Sequence, residues 1–267
     1  ATGYHRLKST CKTTYQSSDS IVEKSVFAYD TERPYNIISK SSLCSGGAEQ
    51  VERTYYSNNT IPDKEFLTTS QRSAIQLLTS RNYLTTPVQQ TMEKKDKRLY
   101  SVLRGYSSSL SSGMVVEDQY YCKGTDKYEK RISYNKYDIY GNPVYINKDG
   151  AEKVVYLWGY KGQYLLAEIK GATYEEVKKA LMVDPASMSS CILPSMPLYL
   201  DMIDNLYKAL PSALITSYTY HPLIGISGII SPNKAKTTFE YNSDSQLIRI
   251  KDTEGKTMEE YQYHFRP

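Results

Sequence analysis

The sequence holds little from which a chemical site could be assembled. Its three histidines, His5, His221 and His264, stand far apart, so a metal site or a catalytic triad would need long-range convergence. The four cysteines, Cys11, Cys44, Cys122 and Cys191, form no Cys-x-x-Cys pair, which argues against zinc and thioredoxin-like motifs. Two disulfides or free thiols both remain open; free, buried thiols are favoured, because a chain of 267 residues can bury a core without covalent staples. Neither Gly-x-x-x-x-Gly-Lys nor Gly-x-Gly-x-x-Gly occurs, so no phosphate-cradling loop is expected. No run approaches the roughly 18 apolar residues of a membrane helix, and no signal peptide is visible. A chain that opens at Ala1 instead of Met is expected to be a processed or excised segment.

Charge of one sign is also lacking. The 33 basic and 29 acidic residues are interspersed and leave a net charge of +4, too little to imply nucleic acid as a partner. The densest basic run, Lys94-Lys95-Asp96-Lys97-Arg98, contains an acid and reads as a solvated face. With 40% hydrophobic and 23% charged residues, the chain is expected to fold.

What is abundant is tyrosine: 27 residues, against 4 Phe and 1 Trp. A ring to pack and a hydroxyl to solvate suit half-buried strands, so the fold class is mainly β.

A weak internal repeat supports this, in which Tyr followed by Asp or Asn opens a turn that leads into an alternating strand. The first copy runs from Val26 through Tyr29-Asp30 and Pro34 to Ile38, closing at Ser41-Ser42. The second is Tyr137-Asp138-Ile139-Tyr140-Gly141-Asn142-Pro143, followed by Val144-Tyr145-Ile146 and the hairpin signal Asp149-Gly150. The next strand, Lys153 to Tyr160, places Val154, Tyr156, Trp158 and Tyr160 on one face and Val155 and Leu157 on the other, as in a sheet interior. Lys161-Gly162-Gln163 reads as a tight turn. The third copy is Tyr241-Asn242, leading to Leu247-Ile250 and closed by Gly255; a last strand is expected from Met258 to Phe265.

Two helices interrupt the strands. Thr173-Tyr174-Glu175-Glu176 is a capping box before Val177, Ala180 and Leu181. The second helix spans about Leu198 to Leu210, with Tyr199, Met202, Ile203, Leu206 and Leu210 on one stripe and Pro211 ending it. A weaker candidate covers Thr69 to Leu78. The serine-rich stretch Tyr106 to Ser112 reads as an exposed or flexible loop. Two regions result: 1–133, β-rich with one short helix, and 134–267, a β-sheet region with a helical insertion at about 173–210.

Candidate chemistry is weaker than its structural alternative at each place. Gly225-Ile226-Ser227-Gly228 falls one residue short of a nucleophile elbow. Asp201 with Asp204, and Glu259 with Glu260, read as solvated carboxylates, not as a glycosidase pair. No catalytic, cofactor-binding or metal-binding residue is assigned. The one candidate ligand surface is aromatic, Tyr156, Trp158 and Tyr160, which could stack on a glycan or a protein; cross-strand packing explains the same pattern.

The segment Tyr137-Asp138-x-x-Gly141-Asn142-Pro143 resembles the signature of YD-repeat (RHS) proteins, with Tyr29-Asp30 and Tyr241-Asn242 as further copies. From Tyr134 to Phe265, including Tyr156-Leu157-Trp158-Gly159-Tyr160 and Tyr220-His221-Pro222-Leu223-Ile224-Gly225, the chain is similar to RHS-repeat proteins common in Bacteroidetes. The first half resembles them through Tyr29-Asp30 and Asn82-Tyr83-Leu84-x-x-Pro87-Val88.

The resemblance implies successive β-hairpins forming a long curved, twisted antiparallel sheet, which in complete members closes as a shell around a toxin or other cargo. It implies a non-catalytic scaffold or shell segment of a larger secreted or cell-surface protein. Its partners would be neighbouring repeats of the same polypeptide or a self-associating copy. The alternative is a surface module for glycan or protein ligands. No cofactor, nucleic acid or membrane span is expected.

Overall fold

The structure is a computed structural model that describes residues 5–16, 19–43, 47–110, 113–190 and 196–264. The chain divides into two compact units, Ala1–Ser133 and Tyr134–Pro267. Its described residues are mainly β: sixteen antiparallel strands with a few short helices.

The first unit holds β1 (Ser9–Gln16), β2 (Asp19–Tyr29), β3 (Ile37–Leu43), β4 (Glu49–Tyr56), α1 (Thr69–Ser80), β5 (Pro87–Lys94), β6 (Lys97–Leu110), β7 (Gly113–Lys123) and the start of β8 (Glu129–Tyr137). Each strand pairs with the next in sequence. The basic run lies at the β5–β6 turn, where Lys95 and Asp96 take φ of 49° and 57°, the double left-handed geometry of a two-residue hairpin.

Helix α1 begins at a reciprocal cap. Thr68 Oγ1 accepts from Gln71 N at 3.2 Å, and Gln71 Oε1 accepts from Thr68 N at 3.1 Å, satisfying two amides that the first turn leaves open. The apolar stripe Ala74, Ile75 and Leu78 is buried with Leu67, Val88, Leu103, Tyr106, Tyr120 and Cys122. Gln71 is buried in the same place. Its Nε2 donates to Glu117 Oε2 and Asp118 Oδ2, each at 3.0 Å. It fits because Gly105 has no side chain: a Cβ there would lie 2.4 Å from Gln71 Cδ.

The second unit continues with β9 (Pro143–Lys148), β10 (Glu152–Gly159), β11 (Tyr164–Lys170), α2 (Tyr174–Leu181), α3 (Met196–Ala209), β12 (Leu214–His221), β13 (Gly225–Ile230), β14 (Lys236–Tyr241), β15 (Leu247–Lys251) and β16 (Thr257–Glu260). Helix α2 starts from the expected capping box: Thr173 Oγ1 accepts from Glu176 N at 3.2 Å, and Glu176 Oε2 accepts from Thr173 N at 2.7 Å. The bond from the Thr173 amide holds the Glu176 carboxyl below its ordinary range. Both helices cover one face of β10–β12, where Val155, Leu157, Ala167, Ile169 and Ile215 pack with Val177, Tyr199, Ile203 and Leu206. Each large aliphatic side chain buried there contributes roughly 1.5–3 kcal/mol.

Three expectations are corrected. The serine-rich stretch is not a loop in its described part: β6 extends to Leu110, with Tyr106 and Ser107 paired to Val116 and Val115, because a continuous partner strand outweighs the low β-propensity of serine. Ser111 and Ser112 lie outside the described residues. The last strand stops at Glu260 instead of reaching Phe265, which also lies outside them. Cys122 is a free, buried thiol as expected, but Cys11 is free and exposed, on a strand whose residues 9–15 are all exposed. Cys44 and Cys191 lie outside the described residues.

Candidate functional site: clasped hairpins and an aromatic face

The tyrosines have a specific use. In the β1–β2 hairpin, Tyr29 OH donates to Leu7 O at 2.9 Å. The same bond recurs in β3–β4 (Tyr56 to Ile37 O, 3.0 Å), β5–β6 (Tyr106 to Pro87 O, 2.8 Å), β11–β12 (Tyr220 to Leu165 O, 2.7 Å), β13–β14 (Tyr241 to Ile226 O, 2.9 Å) and β15–β16 (Tyr263 to Leu247 O, 2.8 Å). In β9–β10 the donor is Trp158 Nε1, to Pro143 O at 2.8 Å.

The register is the same in all seven. Each hairpin's last cross-strand pair toward its open end is Ser9/Val26, Ser39/Arg53, Gln89/Leu103, Tyr145/Val155, Ala167/Ser217, Gly228/Thr238 or Arg249/Glu260. The donor always lies three residues beyond the pair on the second strand, and the acceptor two residues before it on the first. The remaining hairpin, β7–β8, ends on Asp118/Ser133 and carries Lys136 at the donor position instead. The acceptor carbonyl lies beyond the last pair of its hairpin's ladder, and in the four part-buried clasps, at Tyr106, Trp158, Tyr220 and Tyr241, leaving it unpaired would be costly. A rigid ring carrying a terminal donor spans the gap; phenylalanine could span it but not bond. This accounts for tyrosine at six of the 27 positions that carry it.

The residue after the clasp then builds the turn to the next hairpin in two of these copies, and Asp138 builds the matching turn after β8. Asp30 Oδ1 accepts from Glu32 N and Arg33 N, both at 2.9 Å; these amides, Arg33's foremost, hold its carboxyl below the ordinary range. Asp138, buried at 1% exposure, accepts from Tyr140 N at 2.9 Å and Asn142 N at 2.8 Å. Asn242 does the same for Asp244 N and Gln246 N at 3.0 and 2.9 Å. An Asx side chain replacing backbone turn bonds is what this geometry calls for. Gly141 supplies the left-handed residue at φ +86°, and Gly255 does so at +80° in the β15–β16 turn. Asn142 Nδ2 also reaches Gly162 O at 2.8 Å, joining two neighbouring turns. Tyr137 stacks on Tyr134, with ring centroids 6.0 Å apart.

Tyr156, Trp158 and Tyr160 are each half-buried. Tyr156 and Trp158 follow the period-two expectation. Tyr160 does not: β10 ends at Gly159, Tyr160 sits in the turn at φ +51°, and its ring packs with the helix-covered cluster and edge-on to Tyr164 at 5.0 Å. The Trp158 indole N–H is occupied by its clasp. Burial, reinforced by Glu168 opposite on β11, pushes the Tyr156 hydroxyl up to about 12.

On the helix-covered side of the second unit, Leu200 of α3 borders a further feature. This is an open groove of about 520 Å³ over β12–β15, whose lining includes Thr219, His221, Gly228, Lys236, Thr238 and Tyr241.

Nothing resembling a nucleophile elbow forms at Gly225–Gly228. That stretch is strand β13, and Ser227 Oγ donates to Thr219 Oγ1 at 2.9 Å. Asp201 and Asp204 are exposed on α3, as are Glu259 and Glu260 on β16. Among the described residues, no group of three or more His, Cys, Asp or Glu side chains is placed to hold a metal ion. Nor is any helix among them long and apolar enough to cross a membrane.

The clasp role of Tyr56, Tyr106, Tyr220 and Tyr263 does not show in the local sequence around each of them. A signal existed in their spacing: Tyr220, Tyr241 and Tyr263 recur at intervals of 21 and 22 residues.

No family model matches the chain, and no curated protein matches it. Among solved structures, it is similar to chains in a crystal structure of TcdB2-TccC3-Cdc42, in the Tc holotoxin pore of Photorhabdus luminescens, and in TcdB2-TccC3 without its hypervariable C-terminal region. In each case the identity is 11% and the TM-score 0.35, over 86% of this chain. This chain spans 12% of the length of those chains.

Proposed function

We propose that this chain is a non-catalytic scaffold: a shell segment of a larger secreted or bacterial cell-surface YD-repeat (RHS-type) protein, of a kind that delivers a toxin. The observation that carries this reading is the recurring clasp. Seven hairpins use an aromatic donor in one register, and the motif residues Asp30, Asp138 and Asn242 are spent on turns between hairpins. The groups that mark the repeat are engaged in joining strand to strand, which supports a structural role over a chemical one.

The partners in this reading are neighbouring repeats of the same polypeptide or another copy. They would add along the outer edge of β1, where Tyr15 is 80% exposed, or along that of β16; unpaired strand edges recruit further strands. No cofactor is involved.

The test is capture of the native polypeptide from cells and medium with an antibody to this segment, followed by intact-mass analysis. A species much larger than 267 residues is the expected result. A stable species of that size alone would overturn the scaffold reading and favour a free-standing module that binds glycan or protein.

A further inference from the structure

The groove over β12–β15 has a floor that the clasps and turns do not account for. Cross-strand register lines up Thr219, Gly228 and Thr238 in a row perpendicular to the strands. Three strands at their usual separation give this row a length of about 10 Å. Gly228 keeps the floor low: it is buried, and a Cβ there would lie 2.8 Å from Thr219 Oγ1. Ile230, Ile248 and Leu200 add apolar surface, while Tyr241 and His221, edge-on at 6.3 Å, form one end.

The polar groups around this floor are unevenly used. Ser227 Oγ is engaged with Thr219, and Tyr241 OH with Ile226 O. The Glu240 carboxylate is held by Lys251 and Arg249. The Lys236 ammonium, the Thr238 hydroxyl and the His221 imidazole have no hydrogen-bond or ion-pair partner among the described residues. With Glu240 already doubly paired, the unmatched charge at the groove is positive.

We infer that this groove is a binding site for a carboxylated sugar, a pyranose ring bearing an acidic group. Its flat apolar face would lie over Gly228 between Ile230 and Ile248. Its hydroxyl rim would meet Thr238 and His221, and its carboxylate would pair with Lys236. An apolar acid would leave Thr238 and His221 unmatched, whereas a neutral sugar would leave the lysine unmatched. The inference does not depend on the scaffold reading, since a site on a hairpin face is compatible with either a segment or a free module.

The test is a nitrogen-15 NMR titration of the full chain with glucuronate, with glucose and acetate as comparison probes. The expected result is saturable shifts at the Gly228, Lys236 and Thr238 amides with a dissociation constant of about 1 mM, the range suited to one sugar in an open groove. Glucose and acetate should bind at least about tenfold more weakly. Lys236→Gln should weaken glucuronate about tenfold, and Thr238→Val several-fold, with the spectrum otherwise unchanged. Equal responses to acetate and glucuronate would mean a bare anion contact and overturn the proposal. So would the absence of saturable shifts, shifts confined to Tyr156 and Trp158, or an undiminished affinity in Lys236→Gln.

Discussion

Replacing Tyr220 by Phe removes one hydroxyl from a clasp and leaves its ring in place. The Tyr220 ring lies 4.6 Å from that of Tyr164, a contact that phenylalanine retains, so the loss isolates the 2.7 Å bond to Leu165 O. A net hydrogen bond contributes about 1 kcal/mol, and a carbonyl stranded at a half-buried site raises the cost toward ~2 kcal/mol. At this chain length, each ~1 kcal/mol lowers Tm by roughly 2–4 °C.

A pH profile gives a second readout, of the buried hydroxyl itself. Burial pushes the Tyr220 hydroxyl up to about 12, against an unfolded value near ~10. A raised folded pKa stabilises fully below the unfolded value, and that stability is lost as pH rises through the folded one. The wild-type chain should therefore lose stability between about pH 10 and 12. Allowing for solvent screening at a half-buried group, Tyr220 accounts for about 1 kcal/mol of that loss. Urea unfolding followed by circular dichroism at about pH 7, 9, 10.5 and 11.5 measures both effects. Tyr220→Phe should be less stable near neutral pH and show a shallower alkaline decline, whereas Tyr15→Phe, at an exposed site, should match wild type within a few tenths of a kcal/mol. If Tyr220→Phe matched wild type at neutral pH and declined as steeply under alkaline conditions, the clasp would have no energetic meaning.

The turns invite a second comparison. Asp138→Ala strips acceptors from Tyr140 N, Asn142 N and Asn142 Nδ2 at a buried site and should cost about 2–4 kcal/mol, whereas the more exposed Asn242→Ala should cost about 1 kcal/mol, both read from urea midpoints. Gly162→Ala combines φ +75° with a Cβ placed 2.7 Å from Asn142 Nδ2, so it should lower Tm clearly more than Gly150→Ala, which meets only open space at φ +72° and bears roughly 1 kcal/mol of left-handed strain. Iodoacetamide labelling with peptide mapping should modify exposed Cys11 quickly. Cys122 should react only on unfolding, because burial both hides its thiol and raises the pKa of that group; equal rates would contradict its placement.

Local signals survived folding well. The capping box at Thr173, the stripe on α3, the Asp149-Gly150 turn and the Asx turn at Asp138 are each set by residues within a few positions of one another, so a single sequence displays them. The clasp was illegible for the opposite reason. Its donor and acceptor are separated by 15 residues for Trp158 with Pro143 and for Tyr241 with Ile226, and by 55 for Tyr220 with Leu165, so only the register makes the pattern regular. Tyr160 was misplaced for a related reason: period-two counting assumes a strand that continues, and β10 ends one residue earlier. The groove at Gly228 was likewise hidden, since the row Thr219, Gly228 and Thr238 exists only through cross-strand pairing.

The clasp closes a hairpin at its open end, where the chain enters and leaves, and so frees the opposite tip. In β11–β12 that tip carries residues 171–213, including α2 and α3, yet Tyr220 still meets Leu165 O as its counterparts do in hairpins with short turns. Lengthening a loop costs only about 0.6 kcal/mol per doubling, and the bond that fixes the register lies away from the added chain. Each clasped hairpin is thus a self-fastening cassette: new sequence grafted at its tip leaves the bond that fixes its register in place.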